Sequence, residues 1–125
     1  MPARGIRGAI TVREDSPEAI REATRELLLA ILEANPSLRP ADIASVFFTV
    51  TEDIRSAYPA LAARELGWGE VPLMCAREIP VPGSLPECIR VMIIWNTELS
   101  QKEIHHIYLR EAVQLRPDLV QAGQA

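Results

Sequence analysis

The 125-residue sequence predicts an α+β domain: a mixed β-sheet carrying one long helix on a single face. Three observations predict it. One stretch, residues 17–34, repeats its apolar residues at helical spacing between an N-cap signal and an Asn-Pro stop. Several short runs rich in β-branched and aromatic residues, bounded by Pro and Gly, read as strands. Their order along the chain is strand, helix, strand, short helix, strand, strand, helix, strand, without internal repeat, low-complexity tract or linker, and residues 1–125 are expected to form a single domain.

Residues 5–13 alternate, with Ile6, Ile10 and Val12 on one side and Arg7, Ala9 and Thr11 on the other, so the first strand presents Arg7 away from the core. Ser16 is placed to cap a helix whose first residue is Pro17, where a missing N–H costs nothing. Ile20, Ala23, Leu27, Leu28, Ile31 and Ala34 form its apolar stripe, Glu18, Arg21, Glu22, Arg25 and Glu33 its wet face, and Asn35-Pro36 ends it. A turn over 40–43 leads into a strand over 45–51. Residues 59–66 predict a short helix closed by Gly67 in the left-handed cap position. A strand over 71–79 ends at Pro80 and Pro82, since proline cannot donate to a ladder, and residues 80–87 are a loop. Another strand spans 88–96. Ser100-Gln101-Lys102-Glu103 reads as a capping box opening a helix to about Ala112, followed by a brief extension over 113–116 and a frayed tail over 120–125.

The strand over 88–96 is apolar on both sides, and one long helix can cover only one face of the sheet. The other face must meet a second subunit or border a pocket; a closed ring of small subunits satisfies both.

Composition narrows the function classes. A net charge of −4 argues against a nucleic-acid backbone as main partner. No run approaches the roughly 20 apolar residues of a membrane span, and the start of the chain has no apolar signal core, so a cytoplasmic protein is expected. Cys75, Cys88, His105 and His106 are too few and too scattered for a disulfide framework or a zinc site, and no metal or cofactor is expected. Lys102 is the only lysine beside twelve arginines.

Arg90 carries the most information. It sits within an apolar strand, where an unpaired cation is costly, so either an internal carboxylate or an anionic ligand should meet it. Arg7 poses the same choice, and the planar guanidinium fork suits a carboxylate. Glu78, at the end of its strand, is either the partner of Arg90 or a solvated strand end. Cys75 and Glu78 have opposite parity, so a regular strand sends them to opposite faces unless it bulges or Cys75 contributes backbone groups. Tyr58 and Tyr108 are the only tyrosines; Tyr108 falls where core packing is the default. Arg64 could satisfy helix C-terminal carbonyls, His105 and His106 read as helix surface, and Met74 and Met92 as filler. Phosphate loops, nucleophile elbows and catalytic triads have no counterpart in the sequence.

An ordered set of segments goes further. Arg4-Gly5-Ile6-Arg7-Gly8-Ala9 with Thr11-Val12, Pro59-Ala60 with Arg64-Glu65-Leu66, Val71-Pro72 with Cys75 and Glu78, Cys88-Ile89-Arg90-Val91-Met92, His106-Ile107-Tyr108-Leu109 and Leu115-Arg116-Pro117-Asp118-Leu119 together resemble the small monofunctional homotrimeric bacterial chorismate mutases. The resemblance runs from residue 4 to about 119. It implies a cofactor-free rearrangement of chorismate to prephenate on the route to phenylalanine and tyrosine. It also implies a trimeric pseudo-α/β-barrel with an active site at each subunit interface. By position, Arg90 matches the arginine at the ether oxygen and a carboxylate, and Glu78 the glutamate near the substrate hydroxyl. Arg7, Tyr108, Met74 and Cys75 match other pocket contacts, and Tyr58, Arg64 and Leu115 the mouth, some reaching in from the neighbouring subunit. Two entrance positions differ from the family pattern: Tyr58 stands where phenylalanine is expected and Leu61 where a basic residue can occur.

The chemistry accords with the residues. A sigmatropic rearrangement needs no base or nucleophile. It needs a flexible dianion held compact, with positive charge where the ether oxygen gains electron density. Two alternatives remain at this level: a trimeric imine or enamine deaminase of similar architecture, and a non-catalytic regulatory module that binds a small carboxylate. Convergence of Arg7, Glu78 and Arg90 on one cavity favours the mutase.

Overall fold

The computed structural model describes residues 1–119; the expected frayed tail, residues 120–125, lies outside them. Five strands form one mixed sheet: β1 (Ala3–Thr11), β2 (Ile43–Val50), β3 (Leu73–Arg77), β4 (Cys88–Asn96) and β5 (Ile107–Leu109), in the order β3-β2-β4-β1-β5. β4 runs antiparallel to both β1 and β2, while the edge pairs β2–β3 and β1–β5 are parallel. β1 and β2 therefore run the same way with β4 between them, and the connection that returns the chain is the long helix α1 (Pro17–Ala34).

α1 starts as its sequence dictates: the Ser16 hydroxyl accepts the Ala19 N–H at 3.2 Å and Pro17 occupies the first turn. Its stripe of Ile20, Ala23, Leu27, Leu28 and Ile31 is buried against Ile6, Ile10, Val46, Phe48, Ile89, Val91, Ile93 and Trp95 from the sheet. Gly8 permits this approach. A Cβ there would lie 2.9 Å from Ile31 Cδ1 and 3.0 Å from Val91 Cγ1. The short helix α2 (Ala60–Glu65) ends at Gly67, whose φ of 94° is the left-handed conformation expected of it.

Two expectations are corrected. The helix from Ser100 to Ala112 does not form, and the expected extension over 113–116 is not a strand. The Glu103 carboxylate does accept the Ser100 N–H at 2.9 Å, but the turn it opens is a 3-10 helix of three residues, Gln101–Glu103. The chain then extends into β5, and a second 3-10 segment covers Arg110–Gln114. The reason is tertiary. The edge of β1 needs a partner, and the side chain of Asn35, at the end of α1, accepts the His105 N–H and donates to the His105 carbonyl, both at 3.0 Å. Ile107 then enters the main core while Tyr108 turns to the opposite face, an alternation that a helix could not give.

The second correction concerns Arg90. α1 covers one face of the sheet only. Arg90 points to the other, with its side chain 44% exposed rather than buried. Met92 and Ile94, its neighbours on that face, are half-buried, and Phe47 and Met74 beside them are exposed. The apolar character of β4 on both sides is thus real, and its second face lies open in the single chain.

Candidate active site

Strand register assembles the site. Across the open face, Tyr108, Ala9, Arg90, Thr49 and Ala76 lie in one row, and Arg7, Met92, Phe47 and Met74 in the next. The segment after β5 closes over one end of these rows, carrying Leu115 and Arg116. A cavity of about 350 Å³ results, lined by Arg7, Gly8, Phe47, Thr49, Arg90, Val91, Met92, Tyr108, Leu115 and Arg116. Three guanidiniums thus border one apolar-floored cavity, each on a segment whose backbone is fixed by the sheet or by the turn that follows it.

Glu78 joins this group from the end of β3. Its N–H donates to the Val50 carbonyl at 2.8 Å, prolonging the ladder by one residue. Its carboxylate accepts the Thr49 hydroxyl at 2.7 Å and lies 3.6 Å from Arg90 Nε. Both readings of Glu78 are therefore true in part: it is a partner of Arg90 through Nε, and its side chain stays 29% exposed at the strand end. The Tyr108 hydroxyl stays protonated, because burial raises its pKa against the opposing pull of Arg7, Arg116 and Arg90. Arg116 is held in a fork by Asp118, with contacts of 3.1 and 3.0 Å; that pairing raises the arginine's pKa and lowers the aspartate's.

Of the residues singled out from the sequence, the structure brings Arg7, Arg90, Tyr108 and Leu115 around this cavity and places Glu78 against Arg90. Met74 shares the open face but is not among the lining residues. Cys75 is on the other face: it pairs in register with Phe48 and packs against the main core, as its parity requires. With Tyr58 it borders a separate cavity of about 420 Å³, formed by Val50, residues 54–59 and the end of β3. Arg64 stands exposed in the last turn of α2. Cys88 is buried at the head of β4, and burial pushes its thiol up to about 11, so it is not a nucleophile near neutrality. Among the described residues no group of three or more His, Cys, Asp or Glu gathers to hold a metal ion.

Sequence reasoning missed Phe47, Thr49, Met92 and Arg116. The first three could have been found only from register: Thr49 matters because it sits opposite Arg90, and Phe47 and Met92 because they oppose each other one row away. Met92 is thus cavity wall rather than filler. Arg116 belonged to a matching segment, but its position over the cavity depends on the fold of the chain after β5. His106 was misplaced on a helix surface. It is half-buried, and its Nδ1 accepts the backbone N–H of Arg7 at 2.9 Å.

Comparison with known proteins bears on this arrangement. The chain is 63% identical over 119 residues to the chorismate mutase AroH of Thermus thermophilus, covering 95% of this chain and 98% of the relative. It is 45% identical over 120 residues to the chorismate mutase AroH of Bacillus subtilis, covering 95% and 94% of the two chains. A solved chorismate mutase from Clostridium thermocellum superposes with a TM-score of 0.84 at 48% identity, over 86% of this chain and 96% of the other. Residues 3–119 match the family model described as chorismate mutase type I. On a full-length match of this strength, together with a sheet that gathers Arg7, Arg90 and Tyr108 about one cavity, the chain belongs to the type I chorismate mutase family.

Proposed function

We propose that the cavity between Arg7, Arg90 and Tyr108 binds chorismate as a dianion and holds it in the compact shape from which it rearranges to prephenate. The observation that carries this reading is the convergence of three guanidiniums and one neutral phenol on a cavity floored by Phe47 and Met92, with Glu78 set against Arg90 at its edge. Fixed cations hold the two carboxylates, the apolar floor limits the conformers of the ring and side chain, and entropy is lost on binding rather than at the barrier. Arg90 stabilises charge that develops on the ether oxygen as the C–O bond breaks. Glu78, anchored by Thr49, orients the Arg90 fork and meets the substrate hydroxyl. No proton moves in the rearrangement, so groups of fixed charge suffice.

The remaining expected contacts, Tyr58, Arg64, Met74 and Cys75, do not line this cavity in one chain. We propose that they complete it across an interface in a homotrimer, with the second cavity of one subunit facing the Arg7–Arg90 cavity of the next. The open sheet face supports this, since Phe47, Met74 and Ile94 leave apolar surface uncovered. Cys75 then serves through its backbone or as packing, its thiol being directed into its own subunit. We place the enzyme in the cytoplasm, in aromatic amino acid biosynthesis; among the described residues no helix is long and apolar enough to cross a membrane. Family membership selects this reading over the deaminase and the carboxylate-binding module.

Two measurements test it. A direct ultraviolet assay should show consumption of chorismate without added metal or cofactor; binding of prephenate with no turnover would overturn the catalytic reading. Light scattering at micromolar concentration should give a trimer. A fully active monomer would defeat the shared site.

A further inference from the structure

The outer edge of β1 is partnered in an unusual way. β5 pairs with it only at Gly8, Ala9 and Ile10. Beyond that, two side chains stand in for the missing strand: the Gln101 amide accepts the Gly5 N–H at 3.0 Å and donates to the Gly5 carbonyl at 2.7 Å, and His106 Nδ1 accepts the Arg7 N–H at 2.9 Å. The backbone that carries this imidazole is itself held by buried Asn35, which grips His105 through both its N–H and its carbonyl. A fixed path of contacts therefore runs from the end of α1 through His105 and His106 to the residue that presents the Arg7 guanidinium to the cavity.

We propose that His106 is a positioning residue for Arg7, its bare Nδ1 holding the Arg7 backbone so that the guanidinium is aimed at a substrate carboxylate, and that protonating His106 weakens substrate capture. The inference rests on the reading of Arg7 as a substrate contact. Its chemistry follows from the inventory of imidazole. To accept from a backbone N–H, Nδ1 must carry no proton, which fixes the neutral tautomer with hydrogen on Nε2. Adding a proton sets N–H against N–H and leaves the Arg7 amide without its partner.

The surroundings favour the neutral form. Burial is the largest cause lowering the His106 pKa below its ordinary value, and Arg7 from β1, Arg116 from the closing segment and neighbouring His105 act in the same direction. Asp118 is engaged with Arg116, Tyr108 is neutral, and the group that α1 contributes here is the uncharged amide of Asn35. A cationic His106 would also attract a dianion, and the two effects oppose each other. The ring is not among the residues lining the cavity, and its Nδ1 is directed at the β1 backbone, so loss of Arg7 placement outweighs the added attraction.

The test compares wild type with His106→Asn and His106→Leu. Asparagine places Oδ1 where Nδ1 was and cannot be protonated; leucine removes the acceptor. Steady-state kinetics with chorismate near neutral pH should show KM raised on the order of tenfold in His106→Leu, with kcat changed less, and largely restored in His106→Asn. As pH falls below the ordinary histidine range, KM of the wild type should rise and that of His106→Asn should not follow. Hydrogen exchange at the Arg7 amide should be slow in wild type and His106→Asn and accelerated in His106→Leu. A KM for His106→Leu within about twofold of wild type, overlapping pH profiles for wild type and His106→Asn, or a KM that falls on acidification would each overturn the inference. Should the leucine variant fail to fold, the pH comparison with His106→Asn decides alone. Arg7→Ala separates the two layers. An unchanged KM there removes Arg7 as a substrate contact and the inference with it, whereas a raised KM beside silent His106 variants removes the inference only.

Discussion

Replacing Arg90 with lysine should abolish most turnover while leaving the fold intact, and the structure supplies both magnitudes. Arg90 is 44% exposed and its Nε lies 3.6 Å from Glu78, so the pair sits in a largely aqueous dielectric. At that separation two unit charges interact by about 1 kcal/mol in water, and exposed pairs deliver about that or less. Lysine keeps the charge, so even this is mostly retained, and the Thr49–Glu78 hydrogen bond at 2.7 Å does not depend on Arg90. The melting temperature should therefore move by only a few degrees, roughly 4 °C or less. Catalysis is another matter. A compact ammonium cannot reproduce two parallel N–H donors fixed by a strand, and losing one preorganised donor to a charge-developing oxygen costs about 2.7 kcal/mol or more, on the order of 10²-fold in kcat. The assay is chorismate consumption under saturating substrate, with circular dichroism and oligomeric state checked first. If Arg90 only anchored a ground-state carboxylate, KM would rise and kcat would be spared. A kcat equal to wild type in the folded variant refutes a transition-state role for Arg90.

Gly8→Ala should destabilise the fold by about 2 kcal/mol, or roughly 8 °C in thermal unfolding, because its Cβ meets Ile31 Cδ1 at 2.9 Å within the packed helix–sheet interface. Gly5→Ala, which meets only the flexible Met92 sulfur at 3.3 Å, should cost visibly less; equal melting temperatures for the two would show that α1 does not need the close approach. In a Cys75→Ser background the native protein should resist thiol reagents at mildly alkaline pH, since the Cys88 thiol titrates at about 11, and stoichiometric labelling without denaturant would contradict its burial. That same Cys75→Ser change should leave kcat within about tenfold, because the thiol packs into its own subunit; abolished turnover would make Cys75 part of the chemistry. His106 should impose an acid limit on stability. Its folded pKa lies below the ordinary 6.5, so on acidification the unfolded chain takes the proton first; stability is full above about 6.5 and declines as pH falls towards the folded value, a slope that His106→Asn should flatten in urea titrations.

Local chemistry made much of this protein legible. Ser16 and Pro17 could be read as the start of α1, Asn35-Pro36 as its end, Gly67 as a left-handed cap and 88–96 as a strand, because each depends on neighbours within a turn or on a simple period of two or 3.6. The parity of Cys75 and Glu78 was also legible, and it correctly separated them. So was the apolar composition of both faces of β4. Arg7 and Arg90 could be named as candidate anion contacts from a fixed charge on an apolar or near-terminal strand, and Tyr108 only because the ordered segments resemble a family; spacing alone places none of them together.

What only the tertiary structure decided concerns pairing between segments remote in sequence. Ser100–Glu103 carries a genuine helix-start signal, yet the segment after it becomes β5, held extended by the side chain of Asn35 and the open edge of β1. Thr49 and Phe47 entered the site through the register of β2 on β4, where a slip of one residue would have sent both to the opposite face. Arg90 stands exposed in the single chain for the same reason: apolarity along a strand tells how both faces are composed, but which face a single helix covers is settled by the sheet as a whole. His106 meets Arg7 across 99 residues of chain, and no period or motif within either segment encodes that contact.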